Sequence, residues 1–201
     1  MAGTRDICGL DLAERNNLDP EMRQLVKGIE KKYGFLPHFV RAYATDNRRL
    51  RSFMQFYAEM QRPDAGITPL EHELIALVSA ATNGCVYCTA HHGALLRGAT
   101  GDALFTEYVA RNYKLAELTP RHRAMLDFAV KVNADGEAIE DADRDLLREA
   151  GFDDEQIWQI AAIASFYAGA NRMAQAIGLR PAAAYLEMNR EAPAKAPRRR
   201  A

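Results

Sequence analysis

Cysteine is scarce in this sequence, which contains three among 201 residues. A disulfide-stabilised scaffold of this size would need more cysteines, and usually an even number of them. In a reducing compartment, a close pair of cysteines is more often catalytic or metal-binding than structural. Attention therefore turns to Cys85 and Cys88, whereas Cys8, near a mobile N-terminal end, is expected to play no part.

Long hydrophobic runs are also missing. No apolar stretch approaches the ~20 residues that a membrane-spanning helix requires, and the most apolar segment, residues 157–170, is interrupted by Gln159 and Ser165. The first residues lack the sustained apolar segment of a secretory signal. We therefore expect a cytoplasmic protein without a membrane partner.

An excess of charge of either sign is absent, because 26 Lys and Arg residues face 27 Asp and Glu residues, for a formal net charge of −1. A protein with this balance lacks the excess positive charge that attracts polyanions such as nucleic acid. No stretch alternates with the period of two typical of strands, and no glycine-rich phosphate-binding loop occurs. We expect no nucleic-acid partner and no nucleotide, haem or metal cofactor.

Helix signals, by contrast, run through the sequence. Thr68-Pro69-Leu70-Glu71 is typical of a capping box with proline at the first helical position, and Asp19-Pro20 is a similar start. The predicted helices cover about 20–33, a short segment from Pro37, 47–60, 69–82, 85–97, 101–112, 120–133, 140–149 and 154–177. We predict an all-α bundle in a single domain at 19–189, with an N-terminal extension at 1–18 and a disordered basic tail at 190–201.

Two groups of residues inside these helices invite a functional reading but favour packing. The last predicted helix is rich in alanine and should lie centrally, while Asn171 and Arg172 within it are expected to pair with other groups. The aromatic residues Phe53, Phe56 and Tyr57 have helical spacing. We expect them in the core or at a subunit interface.

Four residues form a pattern with chemical meaning: Glu73, Cys85, Cys88 and His92. If a helix begins at Cys85, the two cysteines and His92 share one of its faces. Its N-terminus carries a partial positive charge and free N–H groups, which stabilise a thiolate. Glu73 lies about ten residues before the Asn83-Gly84 break and His92 about eight after it, so the two come level if the helices fold back on each other.

This arrangement suits proton-coupled thiol chemistry. Glu73 would orient His92, and His92 would take the proton from Cys88 as a general base. The Cys88 thiolate would attack the O–O bond of a hydroperoxide and become a sulfenic acid. Cys85 would condense with it to a disulfide that an external reductant must reopen. On spacing alone, His91 competes with His92 for the base role.

Structural zinc is the alternative that the residues leave open. The cysteine pair and the two histidines that follow it offer ligands crowded on one helix. Structural zinc sites instead gather two short ligand pairs from separate segments. The remaining histidines, His38, His72 and His122, are isolated in the sequence, so zinc is the weaker hypothesis.

The spacing of the four residues resembles a known motif. Glu, eleven residues, Cys, two residues, Cys, three residues and His form the active-site motif of the alkylhydroperoxidase D (AhpD)-like proteins, which belong to the carboxymuconolactone decarboxylase superfamily. Segments that resemble its peroxidase-related subgroup are Tyr33-Gly34-Phe35-Leu36-Pro37, Thr68-Pro69-Leu70-Glu71, Asn83-Gly84-Cys85-Val86-Tyr87-Cys88 and Ala170-Asn171-Arg172-Met173-Ala174. The resemblance covers roughly residues 20–185.

The resemblance implies an AhpD-like helical bundle that assembles into homo-oligomers, from dimers to trimers and hexamers. It gives Cys88 the peroxidatic role, Cys85 the resolving role, and Glu73 with His92 the proton relay. It also implies a hydroperoxide substrate and an external thiol or lipoyl-type reductant. The function predicted on this basis is a peroxidase-type oxidoreductase.

Tyr87 departs from the best-known members, which have a histidine just before the second cysteine. A tyrosine cannot act as a base near neutral pH in the same way, so the relay would rest on His92 and Glu73. We expect Tyr87 to pack in or line a pocket, with its hydroxyl as an accessory contact to substrate. The family motif selects His92 as the base, and His91 is expected to be a partly buried polar accessory residue.

Two other functions remain open on the same residues. One is a redox-sensing or scaffold protein whose Cys85–Cys88 disulfide switches assembly or partner binding. The other is a lactone decarboxylase or hydrolase-like activity, as in other branches of the superfamily. Those branches do not depend on a cysteine pair, so the intact pair favours the peroxidase reading.

Overall fold

Ten α-helices account for most of the residues that this computed structural model describes, 4–13 and 18–190. They are α1 (Pro20–Tyr33), α2 (His38–Tyr43), α3 (Asn47–Met60), α4 (Pro69–Thr82), α5 (Val86–Thr100), α6 (Ala103–Asn112), α7 (Pro120–Ala134), α8 (Asp141–Glu149), α9 (Asp154–Ala176) and α10 (Ala183–Glu187). The described ranges contain no strand, which confirms the predicted all-α class. The predicted disordered tail falls outside these ranges from residue 191 onward.

The helix starts follow local capping signals. Asp19 and Asp46 accept hydrogen bonds from backbone N–H groups in the first turns of α1 and α3. Thr68 does the same for α4, and the Glu71 carboxylate accepts the Thr68 N–H in return, which completes the predicted capping box. Predicted and observed boundaries agree within a few residues. The end of α5 lies three residues beyond the prediction, at Thr100.

The centre of the bundle is α4, which packs against α5, α6, α7 and α9. Its residues from Glu71 to Ala80 are all buried. A helix enclosed on all sides is expected to be apolar all round, yet this one carries His72 and Glu73 within its first two turns. Buried polar and charged groups need hydrogen-bonding partners, so their surroundings indicate where the chemistry of this fold lies.

The longest helix, α9, packs against α3, α4, α5, α7 and α8. Small residues such as Ala164, which is completely buried, allow this close approach, as predicted. The largest fully buried apolar side chains around it are Leu74, Ile75, Leu77, Leu96, Met125, Leu126, Leu147, Ile160 and Ile163. Within ranges 4–13 and 18–190, no helix combines the length and apolar character needed to cross a membrane.

Residues 4–13 pack against the C-terminal end of α9. The N–H of Gly9 donates to the carbonyl of Ile177 at 2.8 Å, and the N–H of Arg180 donates to the carbonyl of Ile7 at 2.8 Å. Ile7 and Cys8 are both buried. Cys8 is therefore a core residue and not part of a loose end.

Candidate functional site

The turn between α4 and α5 sets the direction of the site. Gly84 has a φ of +65°, a left-handed conformation that glycine adopts without strain. The N–H of Gly84 donates to the carbonyl of Ala81, and the N–H of Cys85 donates to the carbonyl of Ala80. These bonds end α4, and α5 then packs along it.

Cys85 and Cys88 form a disulfide at the start of α5, with Cα atoms 5.3 Å apart. Cys85 is the residue before the helix, and its sulfur accepts the N–H of Cys88 at 3.3 Å. When reduced, both sulfurs lie at the positive end of the α5 dipole, which stabilises thiolates. Cys85 is completely buried, whereas Cys88 is 7% exposed and lines a cavity. A small molecule in that cavity can therefore reach Cys88.

Glu73 and His92 meet, as their spacing predicts. The distance from Glu73 Oε2 to His92 Nδ1 is 2.9 Å, and both side chains are buried. His92 follows Cys88 by one turn of α5 and lines the same cavity. Carboxylate, imidazole and sulfur are thus arranged in the predicted order.

His72 is a partner of Glu73 that the sequence does not reveal. Its Nδ1 lies 3.3 Å from Glu73 Oε1, and its Nε2 lies 3.3 Å from the hydroxyl of Tyr167. His72 is isolated from the other histidines and the cysteines in the sequence, but in the folded chain it joins the Glu73–His92 pair. Tyr167 lies on α9, far along the chain from His72, and its ring is also 4.7 Å from the ring of His92.

The charge on Glu73 fixes the roles of both histidines. Burial raises the pKa of Glu73, but the attraction to His92 and the hydrogen bonds from His72 and His92 outweigh burial and hold that pKa well below its ordinary value. An ionised carboxylate only accepts hydrogen bonds, so each histidine donates through its Nδ1–H. His92 Nε2 is then the ring nitrogen that can take a proton, while His72 Nε2 is hydrogen-bonded to the Tyr167 hydroxyl.

His91 has the opposite surroundings. Aromatic rings enclose it, with centroid distances of 4.8 Å to Tyr185, 5.7 Å to Phe39, 5.9 Å to Tyr33 and 6.3 Å to Tyr87. Within the described ranges, its Nδ1 has no hydrogen-bond partner. Burial, reinforced by the nearby His92, lowers the pKa of His91 to about 3. The ring is therefore neutral near pH 7, and of the two adjacent histidines on α5 only His92 bonds to the Glu73 carboxylate.

Tyr87 packs between helices, as expected. It is 5% exposed, and its hydroxyl oxygen accepts the backbone N–H of Phe39 at 3.2 Å. Burial raises the pKa of Tyr87 well above its ordinary value, so the hydroxyl keeps its proton near neutral pH. Tyr87 also lines the cavity beside Cys88, where it contributes an aromatic surface.

The cavity has a volume of about 60 Å³, whereas a single water needs only about 10–15 Å³ measured in this way. Aromatic and aliphatic side chains dominate its lining. They are Phe39, Tyr43, Phe53, Tyr57, Tyr87, Phe166, Tyr167, Ala170, Ala174, Ile177 and Leu179. Phe53 and Tyr57 therefore border the site, although helical spacing alone indicated core or interface. The third residue of that predicted cluster, Phe56, is 54% exposed.

The prediction that Asn171 and Arg172 pair with other groups is confirmed for Arg172. Arg172 donates to the backbone carbonyls of Ala168 and Asn133. Asn171 is completely buried and lines the cavity, yet neither its side-chain nitrogen nor its oxygen has a partner among residues 4–13 and 18–190. The expectation of a pairing is therefore wrong for Asn171.

Both cysteines of the site and the two histidines beside Glu73 are engaged with other groups. Cys85 and Cys88 bond to each other, while His72 and His92 bond to Glu73. In the part of the chain that the structure describes, no group of three or more His, Cys, Asp or Glu side chains is arranged to hold a metal ion.

Comparison with known proteins places this geometry in a family. The model of the carboxymuconolactone decarboxylase family matches residues 50–104, which include Glu73, both cysteines of the disulfide and His92. No curated protein has a significant match to the chain. The matched segment spans α4 and α5, the two helices that carry the site.

Two solved structures are similar over almost the whole length. A peroxidase-related protein from Ralstonia eutropha JMP134, described as an alkylhydroperoxidase AhpD core, is 37% identical, with a TM-score of 0.88 over 93% of this chain and 98% of its own. A peroxidase-related protein from Silicibacter sp. TM1040 is 34% identical, with a TM-score of 0.86 over 94% of this chain and 97% of its own. The debrominase Bmp8 shares the fold at 19% identity, with a TM-score of 0.69 over 85% of this chain and 90% of its own. The chain therefore belongs to the AhpD-like, peroxidase-related proteins of the carboxymuconolactone decarboxylase superfamily.

Proposed function

We propose that this protein is a thiol-dependent peroxidase that reduces hydrogen peroxide or organic hydroperoxides through a Cys85–Cys88 dithiol/disulfide cycle. The observation that carries the proposal is that Cys88 and the Glu73-bound His92 line one cavity. Membership of the AhpD-like, peroxidase-related proteins supports the same class of chemistry.

The cycle begins with a proton transfer. His92 Nε2 takes the thiol proton of Cys88, directly or through water, and Glu73 stabilises the imidazolium that forms. The Cys88 thiolate attacks the terminal oxygen of the hydroperoxide. An S–O bond forms, the O–O bond breaks, and the leaving oxygen takes the bonding electron pair and then a proton. The products are an alcohol, or water from hydrogen peroxide, and a sulfenic acid at Cys88.

Cys85 completes the oxidation. Its thiolate attacks the Cys88 sulfur, an S–S bond forms, and the sulfenic oxygen leaves as water. One hydroperoxide has then accepted two electrons from the two thiols. The disulfide between Cys85 and Cys88 is the state that this step leaves.

An external dithiol must return the two electrons. Because Cys85 is completely buried and Cys88 is not, we expect the thiolate of the reductant to attack the Cys88 sulfur first. A second thiol of the same reductant then releases Cys88 and forms the oxidised reductant. A lipoyl-type dithiol has the two adjacent thiols that this sequence requires.

Assembly into a homo-oligomer is a further part of the proposal. Several large apolar side chains are well exposed on the single chain, which is typical of surfaces that form interfaces. They include Leu104 at 64% and Trp158 at 73% exposure. Sedimentation velocity of the purified protein would give the subunit number.

The first test mixes the reduced protein with tert-butyl hydroperoxide in a stopped-flow instrument, followed by mass spectrometry of the peptide that holds Cys85 and Cys88. We expect that peptide to lose two hydrogens for each hydroperoxide consumed. The Cys88→Ser variant should consume none. The Cys85→Ser variant should still react once and leave a sulfenic acid at Cys88 that dimedone traps. Equal trapping in both variants would contradict the assigned roles.

Further measurements on the same protein would identify the rival functions. Slow turnover with a redox-dependent change in oligomer size would favour a redox sensor. Thiols that stay reduced, with one zinc per chain after purification, would favour a metal site. Turnover of a lactone substrate that persists in the Cys88→Ser variant would favour a decarboxylase or hydrolase.

A further inference from the structure

Asn171 is an exceptional side chain in the wall of the cavity. A carboxamide has two N–H donors and an oxygen that accepts two hydrogen bonds. At Asn171 none of this capacity is used by residues 4–13 or 18–190, although the side chain is completely buried. Buried polar groups in native proteins are nearly always hydrogen-bonded, so an unpaired one calls for an explanation. A ligand in the cavity is a partner that would satisfy it.

The register of α9 against α5 locates the carboxamide. One turn before Asn171, the ring of Tyr167 lies 4.7 Å from the ring of His92. One turn after Asn171, Gln175 donates to the carbonyl of Asn83 at 2.9 Å. The C-terminal part of α9 therefore runs antiparallel to α5. Asn171 lies between these two contacts, on the same face of α9 as Tyr167 and Gln175.

Cys88 lies one turn of α5 before His92. Both Cys88 and Asn171 line the cavity, so the sulfur and the carboxamide border the same space from two different helices. A molecule that approaches the sulfur from the cavity therefore meets the carboxamide as well.

We propose that Asn171 binds the hydroperoxide group of an organic hydroperoxide whose apolar body fills the rest of the cavity. The inference rests on the proposed peroxidase function and adds a substrate-binding residue to it. A hydroperoxide has one O–H donor on its terminal oxygen and an acceptor on the inner oxygen. The carboxamide oxygen matches the first, and a carboxamide N–H matches the second.

The same contact acts during the reaction. As the thiolate attacks the terminal oxygen, the inner oxygen takes the electron pair of the O–O bond and becomes negatively charged. A preorganised N–H donor in a dry, apolar site stabilises such a charge far more than it would in water. The aromatic lining of the cavity favours the apolar body of an organic hydroperoxide by burying it.

The first experiment compares two reactions of the same sulfur in the Asn171→Leu variant. We expect the rate constant for oxidation of Cys88 by cumene hydroperoxide to fall by about 10- to 100-fold, a typical cost of losing a well-placed donor. The rate constant for alkylation of Cys88 by iodoacetamide should stay within about twofold of wild type, because iodoacetamide has no hydroperoxide group for Asn171 to bind. An unchanged oxidation rate, or an equal fall in both reactions, would overturn the inference.

Thermal unfolding separates a binding role from a structural one. Replacing an unpaired buried carboxamide by leucine should raise the Tm by about 2–4 °C. The matched control is Asn133→Leu, because the Asn133 side chain donates to Ser79 Oγ and accepts from Asn83. That control should lower the Tm. A lower Tm for Asn171→Leu would show that Asn171 holds the fold, which contradicts the inference.

A binding measurement needs no turnover. In the Cys88→Ser variant, titration with cumene hydroperoxide should shift the side-chain NH₂ resonances of Asn171 in a ¹⁵N correlation spectrum. An unmoved Asn171 signal at saturation would overturn the inference. Failure of the proposed function gives a different result, since the wild-type protein would then leave cumene hydroperoxide unreduced.

Discussion

His91 and His92 are adjacent on α5, with ring centroids 4.8 Å apart, yet they lie in two regions of opposite character. The carboxylate region comprises His72, Glu73, His92 and Tyr167, joined by hydrogen bonds and ring contacts. The aromatic region comprises Tyr33, Phe39, Tyr87, His91 and Tyr185, joined by ring contacts. What distinguishes the two histidines is whether an acceptor faces their Nδ1 atoms.

The two regions also differ in what they contribute to stability. A buried carboxylate is costly to desolvate, and much of what its hydrogen bonds contribute goes to offset that cost. Packed aromatic rings bury a large apolar area and stabilise the fold directly. Substitutions in the carboxylate region should therefore change reactivity most, and substitutions in the aromatic region should change stability most.

The largest expected effect is on the base itself. In the His92→Asn variant, the rate of Cys88 oxidation by hydroperoxide should fall by roughly 10²- to 10⁴-fold, the usual contribution of general acid–base catalysis. The pH profile for alkylation of Cys88 should also move to higher pH. An unchanged profile would remove His92 from the mechanism.

The neighbouring histidine is the matched control for that variant. His91→Phe should leave the oxidation rate within about threefold, because its ring lacks the carboxylate partner that supports proton transfer. Equal losses from His91→Phe and His92→Asn would break the distinction between the two regions.

The next effect concerns two glutamates that are both buried at the start of α4. Glu73→Gln should slow Cys88 oxidation on the order of 10- to 100-fold, because His92 keeps its position but loses the partner that fixes its tautomer. Glu71 is the control, since it accepts hydrogen bonds from Thr68 and from Arg121 at 3.1 Å and so holds the fold. Glu71→Gln should lower the Tm and leave the oxidation rate nearly unchanged. A rate loss in Glu71→Gln as large as that in Glu73→Gln would contradict the role of Glu73 in positioning His92.

The loss of unfolding free energy at acid pH should report on the aromatic region. An unfolded histidine titrates near pH 6.5, whereas folded His91 has a pKa of about 3. Between these values the unfolded state binds more protons, so stability falls as the pH drops. From pH 7 to 4.5, His91 should cost about 2–3 kcal/mol of unfolding free energy.

The His91→Phe variant should not lose this part of its unfolding free energy between pH 7 and 4.5. Urea unfolding of both proteins at the two pH values measures the difference. Glu73 does not confuse the comparison. Its pKa is depressed in the folded state, so its stabilisation is present above its ordinary pKa of 4.5 and is lost only below that pH. Equal losses in wild type and variant would mean that His91 is not buried in its neutral form.

The parts that could be predicted from the sequence are those set by local chemistry. Thr68 and Asp19 specify helix starts through their own side chains and the next few N–H groups. The meeting of Glu73 and His92 follows because a short turn at Gly84 leaves two helices one way to fold back. By contrast, α10 (Ala183–Glu187) has no side-chain cap to announce it, and the sequence did not predict it.

The surroundings of His72 and Asn171 were beyond such reasoning. His72 and its partner Tyr167 are 95 residues apart, and α9 joins them only once the bundle has formed. Asn171 is notable for the partners it lacks among the described residues, which no sequence pattern encodes. The role of Cys8 in the core likewise depends on contacts with the distant end of α9.

The smallest expected effect tests the outer edge of the carboxylate region. Tyr167→Phe removes the hydroxyl 3.3 Å from His72 Nε2 and keeps the ring that packs on His92. One neutral hydrogen bond contributes about 1 kcal/mol, so the oxidation rate should fall by no more than about fivefold. Tyr113→Phe, which removes a hydroxyl bonded to Asp127 at 2.6 Å on the surface, is the control and should leave the rate unchanged. A hydroxyl that only orients His72 can affect His92 only through the His72–Glu73 and Glu73–His92 hydrogen bonds, so its removal should have a small effect. A rate loss for Tyr167→Phe as large as that for Glu73→Gln would therefore mean that the hydroxyl takes part in the proton transfer itself.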